Sequence, residues 1–252
     1  MKNAPTSSLL TKNKLGEITN TDQQEQHYLE VIKAFARLSY ESIYLIDYSN
    51  ISFEYVSDNP LFLCGNTAEE VLQMGYEFYF RHVPEKDLAI LSILNEAGFD
   101  FYAQLPENER KLYCISYDFH LVHKDGKEIL VNHKLTPLFL TPEGKVWKSM
   151  CMVSLSHQQT AGNVCIYKQG SKEIWKLNLE TKIWTKSTKP TLTERELEVL
   201  RMHAQGYSIQ QIAEKIFVAP DTIKYYRRRI FERLEVSNIA DALANAVNNK
   251  LL

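Results

Sequence analysis

No strong charge of either sign marks this sequence: its 29 Lys and Arg stand against 31 Asp and Glu, a formal net of -2. A chain coated in cation is thereby excluded, so any surface for nucleic acid must be local. Cysteine is also sparse. Cys64, Cys114, Cys151 and Cys165 show neither close pairing nor metal-ligand spacing, which argues against a disulfide framework and a zinc cluster. No signal peptide and no apolar run near the roughly 18 residues of a membrane span is present, so the expectation is a cytoplasmic protein with reduced thiols and no membrane partner. A phosphate-binding loop and a nucleophile motif are missing too, and an enzyme is not expected. What is there in quantity is hydrophobic residue, 44% of 252, enough for two ordinary cores.

Residues 1–22 mix Lys, Asn, Ser and Thr without a stable apolar period and read as a flexible arm. From Gln23 to Leu38 the apolar residues Tyr28, Val31, Ile32 and Phe35 recur at helical intervals. "SIYLIDYSNISFEYVSDN" (42–59) has β-branched or aromatic residues on both arms of a turn near Ser49 and Asn50, the pattern of a hairpin. In "TAEEVLQMG" Thr67 stands three residues before Glu70, a capping box, and Gly75 can close the helix. "PEKDLAILSILNEAG" (84–98) repeats the arrangement at greater length, with Pro84 near its start and Gly98 near its end. Residues 112–156 then favour three long antiparallel strands broken at Asp125-Gly126 and Glu143-Gly144. The order predicts a small α+β domain over 23–156, its sheet covered on one side and able to enclose a pocket. Residues 157–190 return to strand-like alternation and are expected to form a sheeted connector or accessory hairpin, ending in the polar "KSTKP" (186–190).

After that boundary, over 191–252, the periodicity is helical throughout. "LTERELEVLRMHAQG" offers Thr193 as N-cap with Glu196 at the capping-box position and Gly206 as a stop. A second helix is expected from Ser208 through Phe217, with Ile209, Ile212, Ala213 and Ile216 inward. In "DTIKYYRRRIFERL" (221–234), Ile223, Tyr226, Ile230 and Leu234 share one side while Asp221, Tyr225 and Arg228 point away. Five Lys or Arg over 221–233 face only Asp221 and Glu232, a local net of +3. A short cationic helix of this kind fits the DNA major groove, where side chains meet base edges and neighbouring cations meet phosphate. The last stretch, "NIADALANAVNN", carries an apolar stripe of Ala240, Leu243, Ala244 and Val247.

The stretch 192–236, with its continuation to about 248, resembles the helix-turn-helix domain of the LuxR family of bacterial transcription regulators. The matching positions run from Leu192, Thr193, Arg195 and Glu196 through Gly206, Ser208, Ile212 and Ala213 to Thr222, Ile223, Lys224, Ile230 and Leu234. The resemblance implies a four-helix domain whose third helix enters the major groove and whose fourth pairs with its mate in a homodimer. Carried over by position, Lys224, Tyr225 and Arg228 are groove-facing, Thr222 is a phosphate-contacting hydroxyl, and Arg229 is a nearby backbone contact. Three departures stand out: Ala219 where Ser is usual before the recognition helix, Tyr226 where His is frequent, and Glu235 where Gly is common.

From about Ser42 to Ser156 the chain resembles a PAS domain, on its paired strands, the "VSDNP" exit into short helices, the "HVPEKD" stretch and the three-strand half that follows. The resemblance implies a sensory or protein-pairing module and names no signal. Cys64 lacks the flavin-bonding context. His82, the nearest axial haem candidate, is expected to cap or sit at the surface beside Pro84, and His120 and His123 to be strand-edge residues; no cofactor is expected. Tyr44, Tyr55, Phe62, Phe78, Phe101, Tyr113, Tyr117 and Phe139 suggest an aromatic core, with filled packing as the default. The α+β order does not supply a phosphorylatable receiver, and all three Trp lie at 147, 175 and 184, outside the framework of lactone-binding relatives. The sum is a transcription regulator that binds double-stranded DNA and whose PAS-like domain senses a small molecule or partner. The alternative is a non-enzymatic interaction module in which that domain only recruits partners.

Overall fold

The structure, a computed structural model, describes residues 25–249 and 251–252. The flexible arm expected over 1–22 lies outside the described residues. Two compact units divide the chain, one ending at Ser187 and the other beginning at Thr188.

The first unit opens with helix α1 (Glu25–Leu38), the hairpin β1 (Ser42–Asp47) and β2 (Ser52–Val56), and four helices: α2 (Pro60–Leu63), α3 (Ala68–Met74), α4 (Glu77–His82) and α5 (Glu85–Gln104). A 3₁₀ turn (Glu107–Leu112) leads into the long strands β3 (Tyr113–Val122), β4 (Glu128–Leu140) and β5 (Val146–Leu155). The strand order is β2-β1-β5-β4-β3, antiparallel throughout, which makes this a PAS-like sheet with its short helices inserted between β2 and β3. The expected capping box at α3 is made: Thr67 accepts from the Glu70 amide while Glu70 accepts from the Thr67 amide, and Gly75 closes the helix at positive φ.

Alternation along β1 divides the core. Tyr44 and Ile46 face the helices α2 to α5, whereas Ile43 and Leu45 face the other way and pack with Ile32 of α1. The sheet is therefore covered on both faces, not on one as expected. The α1 stripe also differs from the sequence reading. Ile32 is buried with Tyr28, Leu29 and Ala36 against it, while Val31 and Phe35 are exposed, because the sheet lies one step around the helix from the stripe that the apolar residues alone suggest. Under α1, Lys148 is buried with Glu54 Oε1 at 3.0 Å, Asp47 Oδ2 at 3.6 Å and the Tyr28 hydroxyl at 3.2 Å, so the buried cation has its counter-charges.

Two further expectations are corrected. Helix α5 does not stop at Gly98; it continues to Gln104, and its N-cap, Pro84, makes no side-chain cap bond, so the box expected there is not formed. Residues 157–190, expected as a sheeted connector or accessory hairpin, do carry strands, but these belong to the main sheet. Strands β6 (Gly162–Lys168), β7 (Glu173–Asn178) and β8 (Ile183–Thr188) extend the sheet beyond β3, giving the order β2-β1-β5-β4-β3-β6-β7-β8. The free edge of β3 attracts them because its amides and carbonyls otherwise lack partners. Trp175 and Trp184 fold back over α5, where Phe101 packs at 5.5 and 5.2 Å between ring centres.

The second unit is all-α: α6 (Glu194–Ala204), α7 (Ile209–Lys215), α8 (Pro220–Leu234) and α9 (Ile239–Asn248). Thr193 and Glu196 form the expected capping box, and Ser208 forms another with Gln211. Val199, Leu200, Ile212, Ile223, Ile230, Leu234, Ala242 and Ala246 make its core. The second helix ends at Lys215, short of Phe217, which turns the chain at φ 56° with its ring almost wholly exposed.

Candidate nucleic-acid interface and sensor cavity

Helix α8 is held inward by Ile223, Ile230 and Leu234, all buried, and this fixes which cations face water. Lys224, Tyr225 and Arg228 project outward, the last with its side chain 69% exposed; Thr222 and Arg229 lie half-buried at the flanks. The Arg228 guanidinium lies over the Tyr225 ring, 5.8 Å from its centre, so the two side chains stand together on the outer face. The other two cations are turned to structural use. Arg233 reaches the buried Glu196 at 3.2 Å and the Thr191 carbonyl at 3.3 Å, tying α8 to the start of α6, and Arg227 lies 5.6 Å from the Phe231 ring. Charge counting along the sequence could not separate these roles, which depend on what α6 brings near.

Acids on the same helix hold the outward cations. Lys224 Nζ is 2.9 Å from Asp221 Oδ1, and Glu232 pairs with Arg229 at 3.0 Å and with Arg228 at 3.8 Å. These pairs are solvated and worth only tenths of a kcal/mol, about 0.3–0.5 at helical spacing, so phosphate can displace them cheaply.

The three departures from the family pattern now have structures. Ala219 is the N-cap and makes no side-chain cap bond; Pro220 follows at the first helical position, where a missing N–H costs nothing. Tyr226 packs half-buried against the core. Glu235 takes the left-handed conformation itself, φ 55° and ψ 46°, and its amide donates to the Phe231 carbonyl, so the closure that Gly usually makes is made here by Glu. Asn245 of α9 adds a bond to the Leu234 carbonyl at 3.3 Å. On α9, Ala242, Asn245 and Ala246 face inward, leaving Ala240, Ala244 and Val247 exposed beside the half-buried Leu243.

The first unit holds a cavity of about 100 Å³ between α5 and the sheet. Filled packing, the expectation from the aromatic residues, is thus corrected: of that set only Tyr117 lines the space, while Phe62 and Phe78 pack against one another at 4.5 Å between ring centres, deeper in the core. The wall is apolar except for Asn95 and the phenols of Tyr48, Tyr76, Tyr79, Tyr102 and Tyr117. Burial pushes every one of these phenols above its ordinary range, so all are neutral. Behind the wall, Tyr79 and His133 both hydrogen-bond the Tyr44 hydroxyl, His133 through Nε2 at 2.6 Å. Burial lowers the His133 pKa from 6.5 to about 3, which keeps this ring neutral.

The histidines weighed as ligands are otherwise engaged. His82 is buried, not at the surface: Nδ1 meets the Val122 carbonyl at 2.7 Å and Nε2 meets Asn66 at 3.0 Å. His120 pairs with the buried Asp87 at 2.7 Å, and His123 with Asp125 at 2.8 Å. Cys64 is buried, and its thiol is pushed up to about 12 by burial.

A PAS-like sheet unit followed by a four-helix helix-turn-helix unit defines the class. Residues 190–246 match the family described as bacterial regulatory proteins, luxR family, and the second unit is a LuxR-type helix-turn-helix domain. Similar proteins include the probable transcriptional regulatory protein NarL of Mycobacterium tuberculosis, 46% identical over 63 residues, which are 25% of this chain and 29% of that one. The oxygen regulatory protein NreC of Staphylococcus haemolyticus is 24% identical over 187 residues, 71% of this chain and 82% of that one. The chain thus spans less than a third of the length of the NarL relatives it matches. Among solved structures, a Vibrio cholera VqmA–ligand–DNA complex aligns over 88% of both chains at 18% identity and a TM-score of 0.34. A PAS domain from Colwellia psychrerythraea aligns over 51% of this chain and 97% of that one at 16% identity and a TM-score of 0.38.

Proposed function

We propose that the chain is a sequence-specific transcription regulator that binds double-stranded DNA as a homodimer through α8 and is controlled by a small molecule held in its PAS-like unit. The observation that carries the reading is the outward set on α8. Lys224, Tyr225 and Arg228 occupy the solvent side of a helix whose opposite side is anchored in the core, with Thr222 and Arg229 flanking them. An Arg in this position can present its fork to the edge of a guanine, and the flanking hydroxyl and cation suit phosphate. The exposed stripe of Ala240, Ala244 and Val247, continued by Leu243, supports pairing through α9.

Control by a ligand requires that the ligand bind two arrangements of the protein unequally. Helix α5 is a suitable lever because it forms one wall of the cavity and also carries the last strand before the DNA-binding unit. Trp184 Nε1 donates to the Ala97 carbonyl at 3.2 Å, and Lys182 pairs with Glu96 at 3.2 Å. A displaced α5 would therefore displace β8, whose last residue, Thr188, begins the second unit. The cavity favours this reading over simple partner recruitment, which needs no internal space.

Selection from a random duplex library tests the proposal. One enriched sequence should emerge, bound with an affinity that falls steeply as salt rises. No enrichment would refute sequence-specific binding.

A further inference from the structure

Phe217 is unfavourable within the second unit on two counts. In the turn between α7 and α8 the Val218 amide donates to the Ala213 carbonyl at 2.9 Å and the Phe217 amide to the Glu214 carbonyl at 3.4 Å, the paired bonds of a helix end whose left-handed residue is Phe217, at φ 56°. Glycine usually holds that place, because a side chain there crowds the backbone. No packing within the unit offsets the strain: the ring is 94% exposed, while the next residue, Val218, packs on the core. Ala219 and Pro220 are exposed as well, so the turn offers an apolar tip of three side chains directly ahead of the outward set on α8.

What such a tip can meet is limited by what it lacks. Over 216–223 the sequence has one charged residue, Asp221, and Lys224 pairs with it at 2.9 Å, so no cation in the turn seeks phosphate. Phe217, Ala219 and Pro220 carry no side-chain donor or acceptor either, and cannot read the hydrogen-bonding edge of a base. The major groove presents one apolar mark of sequence, the C5 methyl of thymine, and Phe and Ala are among the side chains that pack on it. In a helix-turn-helix the residues at the start of the second helix reach base edges, and Pro220 is the first residue of α8.

We infer that the tip formed by Phe217, Ala219 and Pro220 packs on a thymine methyl in the major groove and determines sequence preference beside Arg228. The inference rests on DNA binding through α8, proposed above, and adds the base that the binding site must hold next to the turn. Alanine at 219, in place of the usual serine, keeps this tip free of a hydroxyl.

Deoxyuridine tests it, because it differs from thymidine in the base only by that methyl. Each thymine of the duplex selected from the random library is replaced in turn, and the affinity of the full-length protein is measured. At one thymine in each half-site the replacement should weaken the parent about 4-fold, the worth of one buried methyl. Phe217→Gly should bind the thymine duplex about as weakly as the parent binds its uracil counterpart, lose little more on replacement, and leave binding to a scrambled duplex unchanged. It should also raise the Tm of the helical unit by about 2–4 °C, an opposition between stability and binding that misfolding cannot mimic. Phe217→Leu, which keeps an apolar side chain and the strained backbone, should retain most of the methyl effect. The inference is overturned if a methyl effect persists undiminished in Phe217→Gly, or if that variant weakens the selected and scrambled duplexes alike, which assigns the ring to the sugar-phosphate backbone. It is also overturned if Phe217→Gly binds every duplex as the parent does, which leaves the ring for a protein partner. A library that enriches no sequence refutes DNA reading as a whole, this inference included; an enriched duplex whose thymine methyls are all dispensable refutes this inference alone.

Discussion

Acidifying the solution from pH 7 to pH 5 should cost the first unit about 2 kcal/mol through a single residue, His133. Its ring is wholly buried, with Nε2 on the Tyr44 hydroxyl and Nδ1 without a partner, and burial lowers its pKa from 6.5 to about 3. Between those two values the unfolded chain binds a proton that the folded chain does not. Stability therefore rises with pH across this window and is lost as pH falls from 6.5 toward 3, at about 1.4 kcal/mol per unit. From pH 7 to 5 the chain crosses about 1.5 units of the window, which gives the figure above. Urea unfolding at pH 5.0, 5.5, 6.0 and 7.0, followed by sheet circular dichroism, measures the slope. Other carboxylates and histidines titrate as well, so the comparison is with His133→Gln, whose amide can still meet Tyr44 but cannot titrate. The variant should be less stable at pH 7 and lose about 2 kcal/mol less between pH 7 and 5 than the parent. Equal losses in the two proteins would refute the neutral buried ring.

Glu235→Gly should stabilise the second unit by about 0.5–1 kcal/mol, since it relieves a left-handed residue at the end of α8; a lower midpoint in chemical unfolding would contradict that strain. Leu243→Glu should weaken self-association of residues 188–252 without unfolding them, because the stripe it joins is largely exposed. Sedimentation that shows the same oligomer in a folded variant would reject α9 as the interface.

Local chemistry was readable from the sequence. A cap needs only two side chains three residues apart, which is why the pairs Thr67 with Glu70 and Thr193 with Glu196 appear in the structure where expected. The inward side of α8 was equally legible, since Ile223, Ile230 and Leu234 obey one helical period. Features that depend on distant partners were not. Strand β6 joins the sheet by pairing Ile166 with Ile115, about fifty positions away, and no pattern inside 162–168 announces that neighbour. The sequence allows a pocket without deciding it, for a related reason: the same rings can fill a core or surround a space, and which occurs depends on how α5 lies over the sheet. Gly98 suggests a helix end in the sequence, because glycine often closes helices, yet α5 runs on through it to Gln104. Likewise, the five cations from 221 to 233 look alike on a charge count, and only α6 and Phe231 show that Arg227 and Arg233 are structural.

Reading of DNA sequence by the outer face of α8 is tested most directly by Arg228→Ala. Its guanidinium is exposed and rests near Tyr225, outside the core, so truncation leaves the helix in place. Affinities of parent and variant are measured at several salt concentrations on the selected duplex and on a scrambled one. Arg228→Ala should lose about 1–3 kcal/mol on the selected duplex and much less on the scrambled duplex. Equal losses on both would contradict base reading by Arg228 and leave it a phosphate contact.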